Sequence, residues 1–273
     1  MSMKKFLTIF SLLLTTLFLV SCGKKEEEKA DGWKKIEDKK EVVIGFDNTF
    51  VPMGFKDESG NNVGFDIDLA NAVFKKYDIN VMMQPIDWSM KETELKNGSI
   101  DLIWNGYSIT PQREKQVLFT KPYMANKQVL VTKKSSNITS VKDMKNKVLG
   151  AQDGSSGYDA FTGAPEVLQD IVKNNDATLY EGFNEALLDL KSGRIDGLLI
   201  DDVYAEYYLN KNNEIKDYNI IETEYTPENF AVGARKDDKT LVENINKAVK
   251  ELHESGDFQK ISDKWFGKDV YPK

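Results

Sequence analysis

Val42-Val43-Ile44-Gly45-Phe46 opens the part of the chain whose reading decides the fold. Its run of β-branched residues predicts a short strand. Residues 66–77 then place Ile67, Ala70 and Phe74 on one helical face, with Asp66 at a capping position. A second strand is predicted over 79–83 and a polar helix over 89–96, stopped at Asn97-Gly98. Asp101-Leu102-Ile103-Trp104 makes a third strand. The order βαβαβ predicts a largely parallel sheet covered on both faces.

The pattern restarts downstream. Lys147-Val148-Leu149-Gly150-Ala151 is a strand, followed by a Gly/Ser loop and a helix running to about residue 172. Strands at 177–180 and 197–200 alternate with helices at 184–191 and 202–209, the former ended by Ser192-Gly193. Two such units predict two α/β lobes. The tail adds helices at 239–255 and 258–265 without a strand of their own, so it is expected to fold back on the first lobe. Lobe 1 then comprises residues 36–129 and 232–273, and lobe 2 residues 130–231. Gln128 to Thr132 and Phe230 to Ala234 are the expected crossing segments. Two crossings leave a hinge and a cleft, where strand-end loops would meet a small ligand.

The amino terminus reads differently. Lys4 and Lys5 precede an uncharged run from Phe6 to Ser21, somewhat short for a membrane span. It ends in Leu19-Val20-Ser21-Cys22-Gly23, and Cys22 is the only cysteine. Residues 1–21 resemble a bacterial lipoprotein signal, which implies lipidation of Cys22, palmitate included, and a membrane anchor. The charged, apolar-poor stretch that follows places a disordered tether over residues 22–35. In the 273-residue chain, 40% of residues are hydrophobic and 30% charged, for a net charge of −7 with interspersed signs. Such a surface does not recommend a nucleic-acid partner.

Three further segments carry a family resemblance. They are Gly64-Phe65-Asp66-Ile67-Asp68-Leu69-Ala70, the run from Ile100 through Asn105-Gly106-Tyr107-Ser108-Ile109-Thr110-Pro111-Gln112-Arg113, and Phe119-Thr120-Lys121-Pro122-Tyr123. In this order and spacing the chain resembles the extracytoplasmic polar amino-acid-binding lipoproteins of ABC importers, bacterial solute-binding protein family 3. The resemblance implies a two-lobed type 2 periplasmic-binding fold and a monomer without a cofactor. It also implies a free amino acid as ligand and an ABC permease with its ATPase as partners.

It further implies site residues. Arg113 is to grip the ligand's α-carboxylate, a task suited to a planar guanidinium; the alternative is a surface arginine paired with Glu114. Gly106 and Ser108 lie along the same wall, offering a backbone group and a hydroxyl. Ser156, in the loop Gly154-Ser155-Ser156-Gly157, is the second lobe's contact to the carboxylate. That loop lacks the lysine and spacing of a phosphate cradle. Asp201 is to bind the α-ammonium, in preference to its neighbour Asp202. Asp47 matches a position that touches polar or basic ligand side chains, and Phe50 and Trp88 match aromatic positions that sandwich the ligand. Trp104 and Tyr107 are bulkier than usual and are expected to narrow the pocket.

This set tilts toward arginine, lysine or histidine, with glutamine or cystine as the alternative. A ligand-sensing or adhesion lipoprotein is the reading from another class. A metal site finds no support, since His253 is the only histidine. Enzyme activity lacks a nucleophile and base in the inferred cleft.

Overall fold

The computed structural model describes residues 32–272. The expected signal, Cys22 and most of the expected tether lie outside the described residues. Helix α1 (Gly32–Lys39) leads into β1 (Glu41–Phe46). The folded body therefore takes in residues 32–35, which the charge pattern assigns to the tether. Apolar contacts hold this turn: Ile36 is 1% exposed, and Trp33 packs edge-on against Tyr77 with ring centroids 4.9 Å apart.

Three short strands, β2 (Thr49–Phe50), β3 (Gly54–Lys56) and β4 (Asn62–Val63), form a small antiparallel sheet. At two or three residues each, they are too short to show a period in sequence. Then come α2 (Phe65–Lys75), β5 (Asn80–Pro85), α3 (Lys91–Asn97), β6 (Leu102–Ile103) and β7 (Leu118–Phe119). The chain crosses through β8 (Met124–Asn126) into β9 (Gln128–Lys133), β10 (Leu149–Gln152), α4 (Ser156–Gly163) and β11 (Ala177–Tyr180). The second lobe continues with α5 (Phe183–Ser192), β12 (Gly197–Asp201), α6 (Asp202–Lys211) and β13 (Tyr218–Glu222). The return runs through β14 (Glu228–Phe230) and β15 (Gly233–Ala234) to α7 (Lys239–Ser255) and α8 (Asp257–Phe266).

The two main sheets have the orders β5-β1-β6-β15-β7 and β11-β10-β12-β9-β13. In the first, β5, β1 and β6 are parallel and β15 runs antiparallel to β6 and β7. In the second, β11, β10 and β12 are parallel, whereas β9 is antiparallel to both β12 and β13. Each sheet is thus largely parallel with one antiparallel strand, because each lobe receives one strand directly from a crossing, without the helix a parallel return would need. The architecture is otherwise the expected one: two α/β lobes joined by two crossing segments, a type 2 periplasmic-binding fold.

The crossing strands differ from the expected ones. β8 pairs antiparallel with β14 as a separate two-stranded ribbon, whereas residues 128–132 belong to the second lobe's sheet and residues 233–234 to the first's. A helix to residue 172 is also not formed. α4 ends at Gly163, and the next two residues are Ala164-Pro165; a proline pushes its predecessor out of helical geometry. The tail does fold back on the first lobe. Phe258 of α8 meets Phe65 of α2 edge-on, with ring centroids 5.8 Å apart.

Candidate functional site

The parallel strands β1, β6, β10 and β12 all point their carboxyl ends at one cleft. Asp47 follows β1, Asn105 and Gly106 follow β6, Gln152 ends β10 and Asp201 ends β12. These residues, with Phe50, Trp88, Arg113, Ser155 and Ser156, line a narrow cleft with a free volume of about 10 Å³. Such strand-end loops carry the exposed polar groups of open α/β sheets, which is why ligands collect there.

Arg113 forms the most heavily supported wall. It is 3% exposed, so its charge must be paired or stacked. Its Cζ lies 4.7 Å from the centre of the Tyr107 ring. Nη1 donates to the Ser108 carbonyl at 3.1 Å and Nη2 to the Gly154 carbonyl at 3.0 Å, so one guanidinium touches both lobes. The nearest carboxylates are Glu92 at 3.9 Å and Asp159 at 3.8 Å, not Glu114. Tyr107 and Trp104 are fully buried and do not line the cleft. Tyr107 instead props Arg113 from behind and donates its hydroxyl to Glu92 at 2.8 Å.

Gly106 has φ of +57°, and a Cβ there would come within 2.6 Å of Phe50 Cε1. Its N–H donates to Asp66 Oδ2 at 2.7 Å, and Tyr123 Oη donates to the same oxygen at 2.9 Å. Asp66 therefore does not cap α2. Gly64 is the N-cap residue, and the Asp66 carboxyl is turned inward to hold the Gly106 loop. Burial pushes the Asp66 carboxyl up to about 7.

Asp201 accepts from Asn126 Nδ2 at 2.5 Å and Gln128 Nε2 at 2.9 Å. Burial first, and then the charge of Glu228, push its carboxyl up to about 7. Asp202 lines a larger groove that shares no residue with the cleft. Asp47 is 7% exposed. Its Oδ1 accepts from Thr49 N at 2.8 Å and Thr49 Oγ1 at 2.7 Å, while Oδ2 accepts from Gln152 Nε2 at 2.7 Å. Burial also raises the Asp47 carboxyl above the ordinary range. Phe50 packs across the cleft on Phe183 and Tyr204 of the second lobe, each at 5.7 Å between ring centroids. Trp88 meets Tyr107 at 5.9 Å.

Of the eight residues expected to contact the ligand, all except Ser108 line the cleft. Ser108 sits behind it, its hydroxyl 3.0 Å from that of Ser156. Three lining residues, Asn105, Gln152 and Ser155, carry no expected role, and Gln128, Glu228 and Lys91 bond to residues that line the cleft. Gln152 was within reach of a strand-end argument, because it closes β10. Lys91 donates to the Trp88 and Gly154 carbonyls at 3.0 and 2.8 Å, and burial, then the Arg113 charge, lowers it to about 8. A lysine opening a polar helix gives no local sign of such burial. Among the described residues no group of three metal-ligating side chains occurs, and no helix is long and apolar enough to cross a membrane.

Comparison with known proteins agrees with this architecture. The arginine-binding extracellular protein ArtP of Bacillus subtilis is 32% identical over 272 residues, covering 97% of this chain and 98% of that protein. The L-cystine-binding protein TcyJ of Escherichia coli (strain K12) is 27% identical over 238 residues, 86% of each chain. A crystal structure of an ABC uptake transporter substrate-binding protein from Streptococcus pneumoniae, with bound histidine, is 58% identical. It superposes with a TM-score of 0.89 over 89% of this chain and 99% of that one. The model of the bacterial extracellular solute-binding proteins, family 3, matches residues 42–268, nearly the whole described body. With two lobes, strand ends converging on one cleft and a match of that length, this chain belongs to the family 3 extracellular solute-binding proteins, a family of binders rather than of enzymes.

Proposed function

We propose that the chain captures a free L-amino acid between its lobes and delivers it to an ABC permease with its ATPase. The observation that carries this reading is one narrow cleft lined by both a buried guanidinium, Arg113, and a buried carboxyl, Asp201. An α-amino acid presents a carboxylate and an ammonium a fixed distance apart, and the two buried charges match those ends. The names of the relatives add arginine, histidine and cystine as bound solutes. A basic amino acid is the favoured ligand, because the end of the cleft around Asp47 carries a buried acid beside the Gln152 amide, with Phe50 and Trp88 as aromatic walls. A cation on an aromatic face gains roughly 0.5–2 kcal/mol. Glutamine or cystine is the second choice.

The protein acts as a monomer, tethered to the outer face of the membrane through a lipid on Cys22. Thermal unfolding of the chain from Lys24 onward, titrated with each of the twenty amino acids and with cystine, tests the reading. A ligand at about 100 times its Kd adds about 2.7 kcal/mol of stability by mass action. A melting shift with arginine, lysine or histidine supports basic specificity, and a shift with glutamine or cystine alone corrects it. No shift with any of the twenty or with cystine sinks the amino-acid reading.

A further inference from the structure

Lys91, the first residue of α3, is 2% exposed and does not line the cleft, yet it reaches the second lobe. An ammonium has three N–H groups and can only donate. Here each has an acceptor nearby: the Trp88 carbonyl at 3.0 Å and Glu92 Oε2 at 3.4 Å in its own lobe, and the Gly154 carbonyl at 2.8 Å in the other. Gly154 is seated there closely. Its φ is +67°, and a Cβ would fall 2.8 Å from Ser89 Cα and 3.3 Å from Lys91 Nζ. Backbone of the second lobe thus rests on the turn Trp88–Met90 of the first, with no room for a side chain between them. The same carbonyl accepts from Arg113 Nη2 at 3.0 Å. A ligand carboxylate gripped by Arg113 competes for that guanidinium, whereas Lys91, outside the cleft, stays with Gly154. A buried carbonyl left without a donor is costly, so Lys91 allows Arg113 to turn to the ligand while the lobes stay together. Burial, and then the Arg113 charge, lower the Lys91 ammonium to about 8. A carboxylate on Arg113 offsets the second of these and favours the charged bond to Gly154.

We propose that Lys91 is a latch between the lobes: a positioning residue that holds Gly154, and with it Ser155 and Ser156, against the first lobe while Arg113 meets the ligand. It sets how long a ligand stays and leaves the choice among ligands to the residues that line the cleft. This inference rests on the amino-acid reading, in which the ligand brings a carboxylate to Arg113.

The test uses the full-length protein with L-arginine, L-histidine, L-glutamine and L-cystine. Calorimetry gives the affinities, and stopped-flow tryptophan fluorescence, with Trp88 in the cleft wall, gives the association and release rates. Lys91→Met keeps an apolar stem and removes every donor. It should weaken each ligand that the wild type binds by the same factor, about tenfold. The loss should be carried by faster release, with the association rate unchanged. Lys91→Gln, which retains an uncharged donor, should show the same signature with a smaller loss, and it keeps the question decidable should Lys91→Met not fold. Release at the wild-type rate would overturn the proposal, because it leaves Lys91 a role in the first lobe's own packing alone. Losses that reorder the ligands would do the same, since Lys91 would then act on the cleft, and so would a loss explained by slower association. If the wild type binds none of the four, the amino-acid reading fails and the latch falls with it. If the wild type binds and the variants release no faster, the latch alone fails.

Discussion

Arg113 carries its charge at 3% exposure, with the Tyr107 ring behind it and carbonyls of both lobes in front. A cation in that position is tolerated because two of its N–H groups donate to carbonyls, and because Glu92 and Asp159 lie within 4.0 Å. A ligand carboxylate entering the cleft would replace part of that set with a stronger, charge-assisted pair. Arg113→Ala should therefore reduce affinity for every ligand by about 2–5 kcal/mol, the usual cost of leaving the other half of a buried charge pair alone. Calorimetry on the variant checks this, and wild-type affinity would remove Arg113 from the site. Arg113 was legible in the sequence because it ends a motif of fixed spacing. Glu228 was not, since its partners Ser108 and Ser156 lie 120 and 72 residues away and no local pattern marks it.

Elements set where these side chains can stand. α2 begins at Gly64 with φ of +150°, and a Cβ there would fall 2.2 Å from the Met53 carbonyl oxygen. That close approach brings the start of the helix against residues 52–53, whose carbonyls accept from Phe65 N at 2.8 Å and Asp66 N at 2.9 Å. The inward turn of Asp66 toward Gly106 follows from the same geometry. Gly64→Ala should lower stability by about 2 kcal/mol or more, through backbone strain and the lost approach. Chemical denaturation should then show a lower midpoint at unchanged slope; an unchanged midpoint would mean that the helix start can relax. The period of residues 66–77 announces the helix, yet it misassigns Asp66 as a cap. An acid in a first turn reads alike whether it caps or turns inward.

At the scale of the whole molecule, the lobes meet through polar bonds that cross the cleft. Lys91 and Arg113 of the first lobe hold the Gly154 carbonyl of the second, and Gln152 of the second holds Asp47 of the first. Burial of two acids couples stability to pH. Asp66 and Asp201 are each pushed from 3.8 up to about 7, so between about pH 4 and 7 the folded state binds more protons than the unfolded one. Stability of the ligand-free protein then falls as pH rises through that window. Carboxylates held low by surface partners, such as Asp189 beside Arg194, act below it. Ligand ammonium requires Asp201 to be charged, so affinity should rise over the same window. From pH 5 to 8, melting of the free protein should move down while the ligand-induced shift grows. Parallel movement of the two would contradict a proton held at Asp201.

Sequence by itself determined the class of most long elements, the doubling into two lobes, the return of the tail to the first lobe and the strand ends where a ligand would sit. These follow from local periodicity and turn chemistry, which a chain carries wherever its neighbours are. Tertiary structure alone decided the mixed sheets and the position of the crossing ribbon, because strand partners far apart in sequence leave no local mark. It alone brought Glu228 beside the Ser108 and Ser156 hydroxyls. Those hydroxyls lie 120 and 72 residues from Glu228, a separation that no local pattern spans.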